Sequence, residues 1–217
     1  MTLSAASTLD GDSFIAELRA VRQPRIFVLS GPSGVGKDSL IERLREYEPS
    51  THFTVTATTR PQRSSEIDGT HYHFFTMDDF EYRVGNGEFL ESAQVYGNRY
   101  GVLKSPVVTA ISAGRDVVIK IDVKGAATIR KLIPDSISIF LAPESMESLK
   151  DRLRYRKTET EEVIARRFEE AGRELLRANE FDYVVFNETH GMLKAVQDVR
   201  AILQAERMKT IQPRIGL

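Results

Sequence analysis

The chain has 217 residues, with 30 Lys and Arg against 31 Asp and Glu, a formal net charge of −1. Hydrophobic residues at 41% and charged residues at 28% describe a globular protein rather than a disordered one, and near-neutral charge excludes a surface that coats nucleic acid or membrane. The absence of cysteine excludes a disulfide scaffold, a thiolate-bound metal and thiol catalysis.

Residues 1–22 carry no signal-peptide apolar core. Phe14, Ile15, Leu18 and Val21 allow one or two amphipathic turns, and the segment reads as a loosely held tail. The apolar run 25–29 predicts a strand buried on both faces. A glycine-rich turn follows at 31–36. Leu40, Ile41 and Leu44 then place a helix after Lys37. Residues 54–102 break the rhythm, being rich in Thr, Tyr, Phe and Gly, with alternation at 71–75, and they predict an inserted mixed lobe. Beyond it, strands are expected at 116–121, 136–141 and 183–186. Helices are expected at 126–132, 146–153, 161–176 and 192–206. The stretch 154–162 is polar apart from one Tyr and reads as a lid between two helices. No apolar run approaches the roughly 20 residues of a membrane span. The expected fold is α/β, a parallel sheet with helices on both faces.

Gly31-Pro32-Ser33-Gly34-Val35-Gly36-Lys37 fits the G-x-x-x-x-G-K pattern of a phosphate-binding loop. Glycines let backbone N–H groups converge on a phosphate, the following helix adds its positive end, and the Lys ammonium reaches the terminal phosphates. A buried strand before it and an amphipathic helix after it are the context the motif needs. The pattern then expects Ser or Thr, whose hydroxyl binds Mg²⁺. Asp38 stands there, followed by Ser39. Its carboxylate is either a hard ligand for Mg²⁺ or a stabiliser of the helix N-terminus.

Seven segments, SGPSGVGK at 30–37, TTRPQR at 58–63, EIDGTHY at 66–72, GEFLE at 87–91, GNRYG at 97–101, IDVKGA at 121–126 and RLRYRKTETEE at 152–162, resemble the guanylate kinase family in order and spacing, from about residue 24 to 207. The resemblance implies a P-loop NTPase-type fold over 23–210. Its core would be 23–53, 103–143 and 179–207, its GMP-binding lobe 54–102 and its lid region 144–178. It implies transfer of the γ-phosphoryl group of ATP to GMP, also dGMP, with Mg²⁺, in the purine metabolism of the cytoplasm, by a monomer or homodimer. Phosphoryl transfer rests on charge and alignment, and the planar arginine fork suits phosphate oxygens. By resemblance, residues 31–39 bind ATP, Arg60, Arg63 and Tyr72 grip the GMP phosphate, and Tyr100 completes that segment. Glu91 would accept the guanine N1–H and amino hydrogens, Thr56 would touch the base, and Asp122 would lie at the ligand-binding sheet edge. Lys37, Arg152, Arg156 and Arg167 would act on the transferring phosphate.

Two departures from the family pattern stand out. Lys120 replaces an aspartate, and with Asp38 it suggests a compensating exchange that keeps one carboxylate near the metal. Val102 replaces a hydroxyl residue expected to bond the guanine O6, which leaves Lys104, two residues on, to reach either O6 or a phosphate instead. Two other readings remain open: a P-loop kinase with another phosphorylated acceptor, and a non-catalytic guanylate-kinase-like domain that binds protein.

Overall fold

The computed structural model describes residues 11–20, 23–64, 66–95, 97–155, 160–210 and 215. Helix α1 spans Gly11–Ala20, longer than the one or two turns expected of the tail. Five strands, β1 (Ile26–Ser30), β2 (His52–Phe53), β7 (Val117–Lys120), β8 (Ile137–Pro143) and β9 (Tyr183–Asn187), form one sheet in the order β2-β7-β1-β8-β9. Every pairing in it is parallel.

Strand alternation divides the core between the two faces of this sheet. Phe27 and Leu29 of β1 pack with Leu40 and Leu44 of α2 (Lys37–Tyr47) and with Val196, Val199 and Leu203 of α8 (Met192–Arg207). Ile26 and Val28 face the other way. They pack with Val107 of α4 (Lys104–Ser112) and with Ala126 and Ile129 of α5 (Val123–Leu132). A strand lined on both faces has no polar side to show, hence its unbroken apolar run.

The inserted lobe is a second sheet in the order β4-β3-β6-β5. It joins β3 (Thr56–Thr58), β4 (Tyr72–Phe74), β5 (Phe89–Val95) and β6 (Asn98–Leu103), with α3 (Met77–Gly85) alongside. β3 runs parallel to β4 and antiparallel to β6, so the lobe is mixed as expected. Thr76 starts α3 by accepting the Asp79 N–H at 3.1 Å. Helices α6 (Met146–Tyr155) and α7 (Glu161–Leu175) flank the expected lid. Residues 156–159, and with them Arg156, lie outside the described residues.

Two elements of the core were not foreseen. The two-residue strand β2 joins the sheet through backbone bonds to β7, including His52 N–H to Asp116 O at 2.7 Å. Helix α4 opens on Lys104, Ser105 and Pro106, and a proline is tolerated in a first turn because its missing N–H needs no partner there.

Candidate active site

The phosphate loop bridges β1 and α2 at the carboxyl edge of the parallel sheet. Gly31 has φ 139°, and a Cβ there would stand 2.2 Å from the Leu141 carbonyl oxygen. Only glycine fits that approach. Lys37 folds back over the loop, its ammonium donating to the Gly31 carbonyl and to Pro32 O at 3.0 Å. Burial pushes the Lys37 pKa down, opposed by the nearby carboxylates of Glu174 and Asp38.

The loop is braced from three elements. Helix α7 turns Arg167 and Glu174 into the protein seven residues apart, two turns on one face. Arg167 Nη2 donates to Ser33 Oγ at 2.6 Å, and Ser33 N–H donates to a Glu174 oxygen at 3.2 Å. Burial raises the Glu174 pKa, against the pull of Lys37. Asn187, ending β9, donates its amide to Val35 O at 2.7 Å. Arg152 of α6 donates to Val35 O at 3.2 Å and to Asn187 O at 2.9 Å. Arg152 therefore holds the loop from behind in this structure.

The acceptor side is built differently. Arg60 pairs with both oxygens of Glu66, at 3.0 and 2.8 Å, and donates to Pro61 O at 2.7 Å. Its guanidinium lies 5.3 Å from the centroid of the Tyr72 ring and 5.7 Å from that of Phe74. Burial opposes the Arg60 charge, but Glu66 and Tyr100 outweigh it and raise the pKa. Arg63 joins through its backbone N–H, 2.8 Å from Glu66. Tyr72 and Tyr100 meet edge to face, with ring centroids 6.3 Å apart.

Glu91, on β5, is 5% exposed. Burial, aided by the charge of Asp122 and opposed by Arg99, pushes its pKa up to about 8. Gly125 leaves it room, since a Cβ there would approach Glu91 Cδ to 3.1 Å and collide with Ile121. Asp122 caps α5, accepting the Lys124 and Gly125 N–H groups at 2.7 and 2.8 Å. The Thr56 hydroxyl donates a hydrogen bond to Lys120 O at 3.2 Å, tying β3 to the end of β7. The two positions of the expected exchange touch each other: the Lys120 ammonium pairs with the Asp38 carboxylate.

One cavity of about 380 Å³ connects the two sides. All the expected acceptor residues line it: Thr56, Arg60, Arg63, Tyr72, Glu91, Tyr100 and Asp122. So do the three loop glycines, Ser33, Lys37, Asp38, Ser39 and Arg167. Pro32, Val35 and Arg152 do not, and Val35 is a core side chain. Val102 is likewise core, and neither it nor Lys104 lines the cavity, so the structure does not bring Lys104 to the site. Arg166, Glu174 and Lys120 line it without having been singled out as site residues. The sequence signal for Glu174 was its place on the buried stripe Ile164, Arg167, Ala171, Glu174, where a carboxylate needs a partner.

Among the described residues no group of three or more His, Asp or Glu gathers as a metal site. Mg²⁺ carried by substrate phosphates needs only one or two protein carboxylates. Asp38, with 61% of its side chain exposed and lining the cavity beside Ser39, fits that lesser demand.

A phosphate loop at this sheet edge, facing a second lobe across one cavity, makes this a P-loop α/β protein of the nucleotide-kinase kind. A model of the family described as guanylate kinase matches residues 23–206, and the chain belongs to that family. It is 41% identical over 184 residues to a guanylate kinase of Carboxydothermus hydrogenoformans, covering 85% of this chain and 89% of that one. It is 44% identical over 201 residues to the chloroplastic/mitochondrial guanylate kinase 2 of Oryza sativa, covering 92% of this chain and 70% of that one. The solved guanylate kinase of Anaplasma phagocytophilum superposes with a TM-score of 0.74 at 30% identity, covering 87% and 89% of the two chains. Among the described residues no helix is long and apolar enough to cross a membrane.

Proposed function

We propose that this protein transfers the γ-phosphoryl group of ATP to GMP or dGMP, giving ADP and GDP or dGDP, as a cytoplasmic enzyme of purine metabolism. The observation that carries the reading is the single cavity that joins a phosphate loop to an arginine pair and a buried carboxylate. An acceptor phosphate oxygen attacks the γ-phosphorus in line, and the bond from that phosphorus to the ADP oxygen breaks. The protein supplies alignment and positive charge. The loop glycines and Lys37 hold the donor phosphates. Arg60, Arg63, Tyr72 and Tyr100 hold the acceptor phosphate, and Arg167, with Arg166 beside it, faces the phosphate that moves.

Glu91 supplies the choice of base. Guanine offers two adjacent donors, N1–H and the amino group, to one carboxylate; adenine offers an acceptor at N1. Asp38 and Ser39 would hold Mg²⁺, whose charge would offset part of that on the donor phosphates. Residues 54–102 act as the acceptor lobe and 144–178 as the lid region. No observation favours another acceptor or a non-catalytic binding domain.

A coupled ADP-release assay over GMP, dGMP, AMP, UMP and CMP tests the reading. Turnover of GMP and dGMP at least 100-fold above AMP is expected, since a site built for two donors leaves them unmatched by adenine. Absence of turnover with every acceptor, despite ATP binding, would overturn it.

A further inference from the structure

Lys120 ends β7 at the carboxyl edge of the sheet, where the core meets the acceptor lobe. Its side chain is only 14% exposed, yet it lines the cavity. The ammonium pairs with Asp38 in the first turn of α2 and lies 3.4 Å from the Tyr72 hydroxyl, 4.5 Å from the centroid of that ring. Arg60 lies over the same ring. Two ammonium groups therefore line one cavity, Lys37 folded over the donor loop and Lys120 beside the acceptor grip.

A purely structural pair explains this poorly. Burying an ammonium is costly, and a carboxylate 61% exposed to water returns little of that cost. A phosphate monoester with close to two negative charges is a better partner for that ammonium than one hydrated carboxylate.

We propose that Lys120 is a phosphate-contacting residue, held by Asp38 in the empty site and passed to the phosphate of the incoming nucleoside monophosphate. The proposal rests on the reading of 54–102 as the acceptor lobe. Lys120 forms and breaks no covalent bond. It adds a third cation to Arg60 and Arg63, and its transfer frees Asp38 as the donor side fills.

The test is calorimetric titration of GMP and of guanosine, with no ATP and with divalent metal chelated, into the wild type and the variants Lys120→Met, Lys120→Arg and Asp38→Asn. Lys120→Met is expected to weaken GMP 10- to 100-fold and leave guanosine unchanged, as loss of a charge-assisted hydrogen bond should. Lys120→Arg should stay within about fivefold of wild type, because it keeps the charge. Asp38→Asn, at an exposed position that tolerates the change, should tighten GMP about threefold by removing the competing carboxylate. Unchanged GMP binding in Lys120→Met, or equal weakening of GMP and guanosine, would overturn the proposal. Should Lys120→Met not fold, GMP binding unchanged or weakened in Asp38→Asn would do the same. Failure of the wild type to bind GMP at all would instead overturn the acceptor reading on which the proposal rests.

Discussion

The donor loop and the acceptor lobe hold their charged groups in opposite ways. On the donor side the partners come from the fold. Lys37 donates to backbone carbonyls, and Asn187 and Arg152 converge on Val35 O. Arg167 and Glu174 both engage Ser33 from one helix face. On the acceptor side the charges hold one another: Arg60 and Arg63 share Glu66, and Glu91 stays buried with its pKa raised. A loop braced by backbone contacts is preformed for phosphate. A lobe braced by its own ion pairs must share or exchange partners when a ligand arrives.

The largest expected effect probes the donor side. Lys37→Ala should lower kcat by about 10³-fold, as removal of one preorganised charge from a transferring phosphate does. Thermal unfolding should shift by only a few degrees, because Lys37 crosses the loop rather than filling the core. Retained activity would mean the loop does not hold the donor. Next comes Glu91→Gln on the acceptor side. The amide turns a donor toward guanine donors, so kcat/KM for GMP should fall about 100-fold while the trace rate with AMP holds. An equal loss with both acceptors would detach Glu91 from the base.

The third prediction concerns pH. The raised pKa of Glu91 means the free protein keeps this proton until about pH 8, whereas the proposed pairing with guanine requires the carboxylate. GMP affinity should therefore rise between pH 7 and 8, by up to about tenfold per unit, and level off above. Glu91→Gln should flatten the profile. The same shift has a stability sign. The unfolded chain releases this proton near the ordinary carboxylate value and the folded one near pH 8, so burial of Glu91 costs stability progressively between the two. The Gln variant should gain thermal stability relative to wild type as pH rises toward 8.

The same contrast decided what the sequence made legible. The expected donor residues are consecutive, and the expected acceptor residues sit in short segments with their own turns, so both sets could be read from the sequence, and the structure brings most of them to one cavity. The braces were not. Asn187, Glu174 and the backing role of Arg152 depend on β9, α6 and α7 meeting behind the loop, and no local pattern announces that meeting. The strand β2 escaped notice because two residues carry no periodicity. The chain carries 21 arginines against 9 lysines, and that bias gains a partial account. Arg207 joins Asp116, Glu48 and Thr51 at 2.7, 2.7 and 3.0 Å, and Arg115 donates to Ser50 O and Thr51 O at 3.0 and 3.3 Å. These forks tie chain segments together far from any phosphate, which a count of basic residues does not distinguish from binding.

The smallest expected effect asks whether the acceptor ion pair is a splint or a competitor. Glu66 and Pro61 O take three donors of the Arg60 guanidinium, which has five. The fork is not exhausted, and Tyr72 and Phe74 already hold its plane. Tyr100 engages the guanidinium as well, so Arg60 keeps one N–H for a phosphate while Glu66 fixes its direction. Glu66→Gln keeps the size and removes the charge, leaving one good hydrogen bond in place of the bidentate pair. GMP affinity should fall about fivefold, the value of a partly exposed ion pair, with guanosine affinity and kcat nearly unchanged. Tighter GMP binding in this variant would show that Glu66 competes with the phosphate. The acceptor lobe would then work by exchanging partners throughout, at Arg60 as well as at Lys120.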